Sequence, residues 1–263
     1  MKPYLAVLSA RYRMLLQYRA AAVAGLLTQL FWGLIRVMIF TAFYQTATTA
    51  QPMSIAQVIT YVWLTQAMIR ILPLTVDPDV REMFRSGAVA YELLRPVDLY
   101  RLWYARSLAN LTAPTTLRVV PVFLLAGLFL GLQPPASLAA TGAWLLATVG
   151  AVALACAITT FLCTTLFWTV SGQGINLLFP AGIWFLSGMM IPLPLMPDWA
   201  QPVLAALPFR GIMDAPLRLY MGHEAPAEVI AVLAHQLAWI VGFVLMGRLL
   251  LLRGTRRLVI QGG

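Results

Sequence analysis

The chain has 263 residues, of which 61% are hydrophobic and only 10% are charged, with a mean hydropathy of +0.82. About a quarter of the residues of a soluble domain are charged, so this composition excludes a soluble protein and indicates an integral membrane protein. The formal charge of +9 would suit a nucleic-acid partner, but the basic residues border apolar runs and form no continuous stripe. We therefore predict no binding of nucleic acid.

The first 19 residues precede the first long apolar run. Leu5, Leu8, Tyr12 and Leu15 recur every three or four residues, while Arg11 lies off this stripe. The spacing predicts an amphipathic helix that lies in the membrane surface, with a solvated leader as the alternative. The apolar run that follows is too long for a signal peptide.

Six apolar stretches approach or exceed the length needed to cross a hydrocarbon core about 30 Å thick, which takes about 20 helical residues. They are 20–44, 55–76, 107–130, 137–170, 175–190 and 227–252. The fourth is unusually long, and we expect its first end to project beyond the membrane or to bend. Together the stretches predict an all-α integral membrane protein with six transmembrane helices.

The basic residues are distributed unequally between the connections. Of 18 Arg and Lys residues, 13 precede the first span, lie between the second and third, or follow the last. The opposite side has only Arg210 and Arg218. Because cytoplasmic segments retain Arg and Lys, we predict that both termini are cytoplasmic.

The segment 77–106, between spans two and three, holds 10 of the 27 charged residues. Five acids accompany five arginines there, which membrane orientation alone does not require. Apolar residues such as Phe84 and Tyr91 are interleaved with the charges, which predicts a short amphipathic helix that Gly87 breaks and Pro96 ends. We infer a docking element for a cytoplasmic protein, with a solvated loop as the alternative.

Two arginines lie deep in predicted spans. No span contains a carboxylate that could pair with Arg36 or Arg118. Pro114 and Pro121 flank Arg118, so kinks in the helix could expose carbonyl groups near it. An anionic head group on a substrate pathway, or an acid on a partner subunit, would explain these charges; snorkelling to the interface is the alternative.

Residues 191–226 contain seven prolines, too many for one continuous helix, yet they remain apolar. Asp198 and Asp214 stand where they could serve as N-caps of two short helices, 199–207 and 215–221. Structureless loops of this length are uncommon. We therefore predict a short re-entrant helical hairpin on the outer side, before the last span.

The sequence disfavours several kinds of chemistry. Lys2 is the only lysine, so no G-x-x-x-x-G-K-[ST] phosphate-binding loop exists, and we predict no metal site and no cofactor on this chain. The absence of Asp and Glu from the span interiors disfavours proton coupling, although an ion-coupled secondary transporter remains an alternative. A lipid transferase that uses Asp77 and Asp79 to hold Mg²⁺ is a third hypothesis.

Four stretches carry a resemblance to a known family. They are YRAAAVAGLLTQLFW at 18–32, RSG and YELLRPVD within 85–98, LPFRGIMDAPLRLYMG at 207–222, and LRGTRRLVIQGG at 252–263. In this order they resemble the permeases of type-2 ATP-binding-cassette (ABC-2) exporters. The similarity is greatest to the compact six-span bacterial subfamily that is encoded with a sister permease and an ATPase.

The resemblance implies a single permease domain, 1–263, in the bacterial inner membrane. Such a subunit is not an enzyme; it acts as a homodimer or beside a sister permease and moves drugs, lipids, glycans or peptides. A separate ABC ATPase, which binds the ATP and Mg²⁺, would dock on 81–96, with 172–176 as a smaller contact. The coupling residues would be Arg81, Glu82, Phe84, Arg85, Tyr91, Glu92, Arg95 and Pro96, and the outer gate would contain Trp199, Pro208, Arg210 and Asp214.

Overall fold

The computed structural model describes residues 2–17, 19–169 and 173–256, and these residues form helices, turns and connections without a strand. Helices follow the apolar runs, because a chain in lipid must satisfy its backbone hydrogen bonds internally. The α-helices are α1 Lys2–Leu16, α2 Arg19–Thr46, α3 Ile55–Met68, α4 Pro78–Arg85, α5 Val89–Leu93, α6 Leu99–Phe129, α7 Leu138–Thr165, α8 Gln173–Leu186, α9 Gln201–Ala206, α10 Asp214–Tyr220 and α11 Val229–Thr255.

Four helical stretches in the described part of the chain are long and apolar enough to cross a membrane. They are Ala22–Thr46, Leu99–Phe129, Leu138–Thr165 and Pro226–Thr255. The prediction of an all-helical membrane protein is thereby confirmed. Helices also occupy the second and fifth predicted spans, but Ile55–Ile71 and the 14 residues of α8 are shorter than an ordinary crossing. The number of six spans therefore remains a prediction.

The helices that occupy the second and fifth predicted spans stop early, at Ile71 and Leu186, and the third and fourth predicted spans also have different ends. The third begins at Leu99 rather than at 107, because the Asp98 side chain accepts a hydrogen bond from the backbone N–H of Arg101 at 2.9 Å and starts α6 there. The fourth ends at Thr165 rather than at 170. With 28 residues α7 is still about 42 Å long, which exceeds the thickness of the hydrocarbon core.

The helix α7 lies at the centre of the bundle and packs against α6, α10 and α11. Ala143, Ala147 and Ala151 recur every four residues along it and are buried. Small side chains of this kind allow close helix packing in lipid, where no hydrophobic effect drives helices together. Gly150 lies so close to the side chain of Gln236 on α11 that a Cβ at this position would overlap it.

The charged segment 77–106 and the described parts of both termini lie at one end of the bundle. The helix α1 lies along α6, and the Tyr4 hydroxyl accepts a hydrogen bond from the Asp98 N–H at 2.9 Å. Gly254, near the end of α11, packs on Phe167, which follows α7. The described parts of both termini therefore share one end with α4 and α5. At the other end, the Ala136 N–H donates to the carbonyl of Tyr220, which brings the 131–137 connection to α10.

The helix predicted at the N-terminus is present, and Leu8, Tyr12 and Leu15 of its predicted apolar stripe are half-buried, but Leu5 is not. Tyr4 and Val7 pack against the core, whereas Leu5 is 58% exposed. The side chain of Arg11, which was placed off the buried stripe, is only 17% exposed. Two carboxylates at the start of α4 attract this arginine, and apolar spacing alone could not show that pairing.

Residues 191–226 form short helices, as the prolines predicted, but the proposed caps are wrong. The N-cap positions are Pro197 and Met213, and neither makes a side-chain capping hydrogen bond. Asp198 and Asp214 are instead the first residues of their helices. The carboxylate of Asp214 is turned into the protein, where it binds groups from other elements.

Candidate functional site

The charged segment 77–106 contains two short helices. The Asp77 carboxylate caps α4 by accepting a hydrogen bond from the Asp79 N–H at 2.9 Å, and Pro78 supplies a favourable first helical residue. Gly87 separates α4 from α5 with a φ of +73°, a conformation that glycine adopts more easily than other residues. The break predicted at this glycine is present.

One side of α4 anchors the segment to the membrane bundle. Val80 is fully buried, and the Phe84 ring lies 4.7 Å from the ring of Phe167 and 6.2 Å from that of Trp103, centre to centre. Both contacts are edge-on, an arrangement that stabilises aromatic pairs. Phe84, predicted as a coupling residue, therefore fastens α4 to the ends of α6 and α7.

The opposite side of the segment is exposed and mixes charges with large apolar groups. Tyr91 is 73% exposed and Leu94 is 81% exposed. Beside them the predicted coupling residues Glu82, Arg85, Arg95 and Pro96 are also exposed. We call the exposed residues Glu82, Arg85, Tyr91, Leu94, Arg95 and Pro96 the docking patch.

The two remaining predicted coupling residues lie deeper. Glu92 is 7% exposed and forms an ion pair with Arg95, with 3.1 Å between nitrogen and oxygen. Arg81 is half-buried. Glu92 therefore holds Arg95 of the docking patch in place. The smaller contact predicted at 172–176 lies partly outside the described residues.

An ionic cluster joins the segment to α1 and α6. Asp77 and Asp79 lie between two arginines: Arg11 is 2.7 Å from Asp79, and Arg106 is 3.3 Å from Asp77 and 3.2 Å from Asp79. Asn110 donates to Asp77 at 3.1 Å and accepts a hydrogen bond from Arg11 at 2.6 Å. We call these five residues the inner ionic cluster.

Asp77 is the most deeply placed member of the inner ionic cluster, with a side chain only 1% exposed. A buried charge is tolerated only when it is paired and hydrogen-bonded, so these partners are required for its position. A lipid transferase would need Asp77 and Asp79 to hold a metal ion. Here the two arginines already neutralise both carboxylates, and a metal ion would have to displace them.

The two arginines predicted inside spans have separate neighbours. Arg36 is buried and donates hydrogen bonds to the hydroxyl of Thr65 at 2.9 Å and to the carbonyl of Met190 at 3.0 Å. The expectation that it has no partner in this chain is therefore wrong, because neutral oxygens accept from it. The guanidinium of the half-buried Arg118 lies against Gly25 of α2, where a Cβ would overlap it.

At the other end of the bundle, Asp214 is fully buried. One carboxylate oxygen accepts hydrogen bonds from the Tyr61 hydroxyl at 3.0 Å and from the Leu193 N–H at 3.3 Å. The other oxygen lies 3.7 Å from Arg218. Desolvation, opposed in part by Arg218, raises the pKa of the Asp214 carboxyl to about 6. This residue thus connects α10 to α3 and to the 191–196 connection.

Ion pairs continue outward from Asp214 through Arg218 to Glu224, at 3.2 Å, and from Glu224 to Arg210, at 3.5 Å. We call Tyr61, Asp214, Arg218, Glu224 and Arg210 the outer cluster. Two predicted gate residues, Arg210 and Asp214, belong to it. The other two do not, since Pro208 is buried beside it and Trp199 is 80% exposed.

The helix α11 holds the same hairpin from its other side. Gln236 is almost fully buried and donates to the carbonyls of Gly211 at 2.7 Å and Ala147 at 2.9 Å. His235 and Trp239 bond to carbonyls in the hairpin at 3.1 Å each. A glutamine in an otherwise apolar span indicates a hydrogen bond to another helix or connection. Gln236 was not interpreted in this way from the sequence. Tyr61, Arg218 and Glu224 gave no comparable signal.

Long apolar helices around α7, with charged clusters at both ends of the bundle, define a multi-pass membrane protein. The family model for ABC-2 family transporter proteins matches residues 30–262, so the chain belongs to that family. It is accordingly the permease component of an ABC transporter, a class of subunit that associates with an ABC ATPase. The resemblance seen in the sequence is thereby confirmed. No curated protein and no solved structure matches the chain significantly.

Proposed function

We propose that the chain is the permease of an ATP-driven exporter of the bacterial inner membrane, with six spans and both termini cytoplasmic. It acts as a homodimer or beside a sister permease, and a separate subunit binds and hydrolyses ATP with Mg²⁺. The observation that carries the proposal is the docking patch. It presents two large apolar side chains outside the membrane-crossing helices, at the end of the bundle where basic residues are concentrated.

The chemistry of the docking patch suits a protein partner. Tyr and Arg are enriched at the centres of protein interfaces, and alternating charges give a partner its register. A solvated loop would have no reason to expose Tyr91 and Leu94 while Val80 and Phe84 hold the segment in one position. We assign the docking patch to the ATPase.

Movement of the ATPase would reach the membrane through the inner ionic cluster. Asp77 caps α4, and its carboxylate bonds Arg106 and Asn110 of α6. Arg11 adds α1 to the same contact. A displacement of α4 therefore shifts α1 and α6 together, and α6 is one of the membrane-crossing helices.

The hairpin at 191–226 is the proposed outer gate. The bond between Asp214 and Tyr61 joins it to α3, and the bonds of Gln236 join it to α7 and α11. Opening would break the hydrogen bond between Asp214 and Tyr61, because Asp214 would move with the hairpin while Tyr61 stays on α3. Arg118, which is half-buried, is the better candidate of the two intramembrane arginines for contact with an anionic substrate.

Co-purification with the ABC ATPase tests the docking assignment. We expect Tyr91→Ala and Leu94→Ala each to weaken the association about tenfold, because each removes a large side chain from the centre of an interface. Leu138→Ala is the matched control, since Leu138 is 91% exposed at the start of α7, at the other end of the bundle. Retention of the ATPase at the wild-type level by both docking-patch variants would refute the assignment.

A further inference from the structure

A groove with a volume of about 570 Å³ lies between α1, α6 and α11. Its walls are formed mainly by apolar side chains, including Leu5 and Leu8 of α1, Leu108 of α6, and Ile240 and Val244 of α11. Neither the docking patch nor the outer cluster contributes to it. Its lining changes in character from one end to the other.

The charged end of the groove is formed by Arg101 and Arg248. On α11, Val244 and Ile240 precede Arg248 by one and two turns, and on α6 Leu108 follows Arg101 by two turns. The two arginines converge, because both lie near the same carboxylate of Asp98, at 3.8 Å and 3.3 Å. The apolar walls therefore extend about 12 Å from a common charged mouth.

This mouth has an excess of positive charge. Asp98 supplies one carboxylate, whereas Arg101 and Arg248 supply two guanidinium groups. The guanidinium of Arg248 lies over the ring of Tyr100, which also lines the groove, 5.3 Å from the ring centre. This contact holds Arg248 at the mouth of the groove.

We infer that the groove binds one anionic phospholipid of the leaflet on the side of the termini. An acyl chain lies along the apolar walls, and the phosphate contacts Arg101 and Arg248. The charge of the mouth favours an anionic lipid over a zwitterionic one. The assignment of the leaflet to the cytoplasmic side depends on the proposed orientation; the binding itself does not.

A lipid in this groove would touch α1 and α11 at the same time. The helix α1 also carries Arg11, which binds the inner ionic cluster. Binding would therefore stabilise the position of α1 against α6 and support the contact that receives movement from α4.

Retention of lipid by the purified full-length chain, without its ATPase, tests the inference. The chain in mild detergent is mixed with phosphatidylglycerol or phosphatidylcholine of identical acyl chains, and bound lipid is counted by native mass spectrometry. We expect phosphatidylglycerol to be retained several-fold better. Arg101→Ala combined with Arg248→Ala should lower its retention to about that of phosphatidylcholine, because the preference for a net negative head group is lost.

Arg253→Ala is the matched control, because Arg253 lies on the same helix and carries the same charge but does not line the groove. An equal loss with this variant would indicate diffuse attraction and overturn the inference, as would wild-type retention by the double variant. Equally strong binding of glycerol phosphate would show that the acyl chain is unnecessary. A dimer of the wild-type chain that the double variant no longer forms would assign the groove to a second copy. Either result would contradict the proposal.

A second variant fills the groove and keeps its charges. Ala105 lines the wall and is half-buried, so Ala105→Phe should reduce retention of phosphatidylglycerol while the size-exclusion profile stays that of the wild type. Leu138→Phe adds bulk outside the groove and should have no effect. Because no step requires the ATPase, failure here would leave the proposed transport function untouched.

Discussion

Asp214 carries a negative charge in a position from which water is excluded. Its folded-state pKa of about 6 lies above the ordinary value of 3.8, because burial penalises the ionised form more than Arg218 favours it. A carboxyl with a raised pKa adds stability that is fully present below about pH 4 and is lost as the pH rises through 6. The folded state is therefore more stable relative to the unfolded state when this side chain is protonated.

The Asp214→Asn substitution tests this residue directly. Relative to the wild type, the variant should gain stability as the pH rises from 4 to 7, by an amount on the order of 3 kcal/mol. Thermal unfolding in detergent at several pH values measures the difference. Asp198→Asn is the control, because Asp198 is an exposed carboxylate of the same hairpin. Parallel pH profiles for the wild type and Asp214→Asn would contradict the assignment.

For single residues, the sequence predicted where a charged side chain lies along the chain better than it predicted which groups that side chain would bind. Arg36 was recognised as a charge within a span, but its acceptors come from residues 29 and 154 positions away along the chain. Arg11 was placed off the apolar stripe, and its carboxylate partners, Asp77 and Asp79, come only at the start of α4. Long-range pairs of this kind depend on packing, which a hydropathy pattern does not contain.

Among the helices, the inner ionic cluster is the contact with the largest expected effect on stability. Without Arg106, Asp77 keeps Arg11 at 3.7 Å and Asn110 at 3.1 Å but loses a hydrogen bond to a charged group, which costs about 2 kcal/mol. Arg106→Ala should therefore lower the free energy of unfolding by about this amount, because the Asp77 side chain is 1% exposed and that of Arg106 only 11%. Thermal unfolding in detergent provides the measurement.

The control for that substitution is Arg85→Ala. Arg85 also pairs with an acid, Glu82 at 3.8 Å, but both side chains are about two-thirds exposed, so the pair contributes little. If Arg85→Ala destabilised the chain as much as Arg106→Ala, the cluster would have no special role in holding α4 to α6.

Most of the helices could be predicted from the sequence. Apolar runs marked the long helices, and Gly87 marked the break between α4 and α5, because a turn with positive φ favours glycine. The start of α6 was missed, since Leu99 to Arg106 include two arginines and have a low hydropathy. That stretch is helical because Asp98 caps it and because Leu102 and Trp103 are buried against the rest of the bundle.

At the scale of the whole molecule, charge is divided between two ends. The docking patch and the inner ionic cluster lie at the end shared by the described parts of both termini, and the outer cluster lies at the other. The membrane-crossing helices α6 and α7 join these ends. The proposed transport cycle requires that movement at the docking patch reaches the hairpin through these helices, without any chemistry performed by this chain.

A fluorescent label on the hairpin tests this coupling without knowledge of the cargo. Trp199 is 80% exposed, so Trp199→Cys offers one reactive thiol, whereas Cys156 and Cys163 are buried. The labelled chain is reconstituted in vesicles with its ATPase, and the emission is recorded when Mg-ATP is added on the ATPase side. We predict a change in emission that requires the ATPase and disappears with Leu94→Ala. A change without the ATPase, or none in the complete complex, would contradict the account.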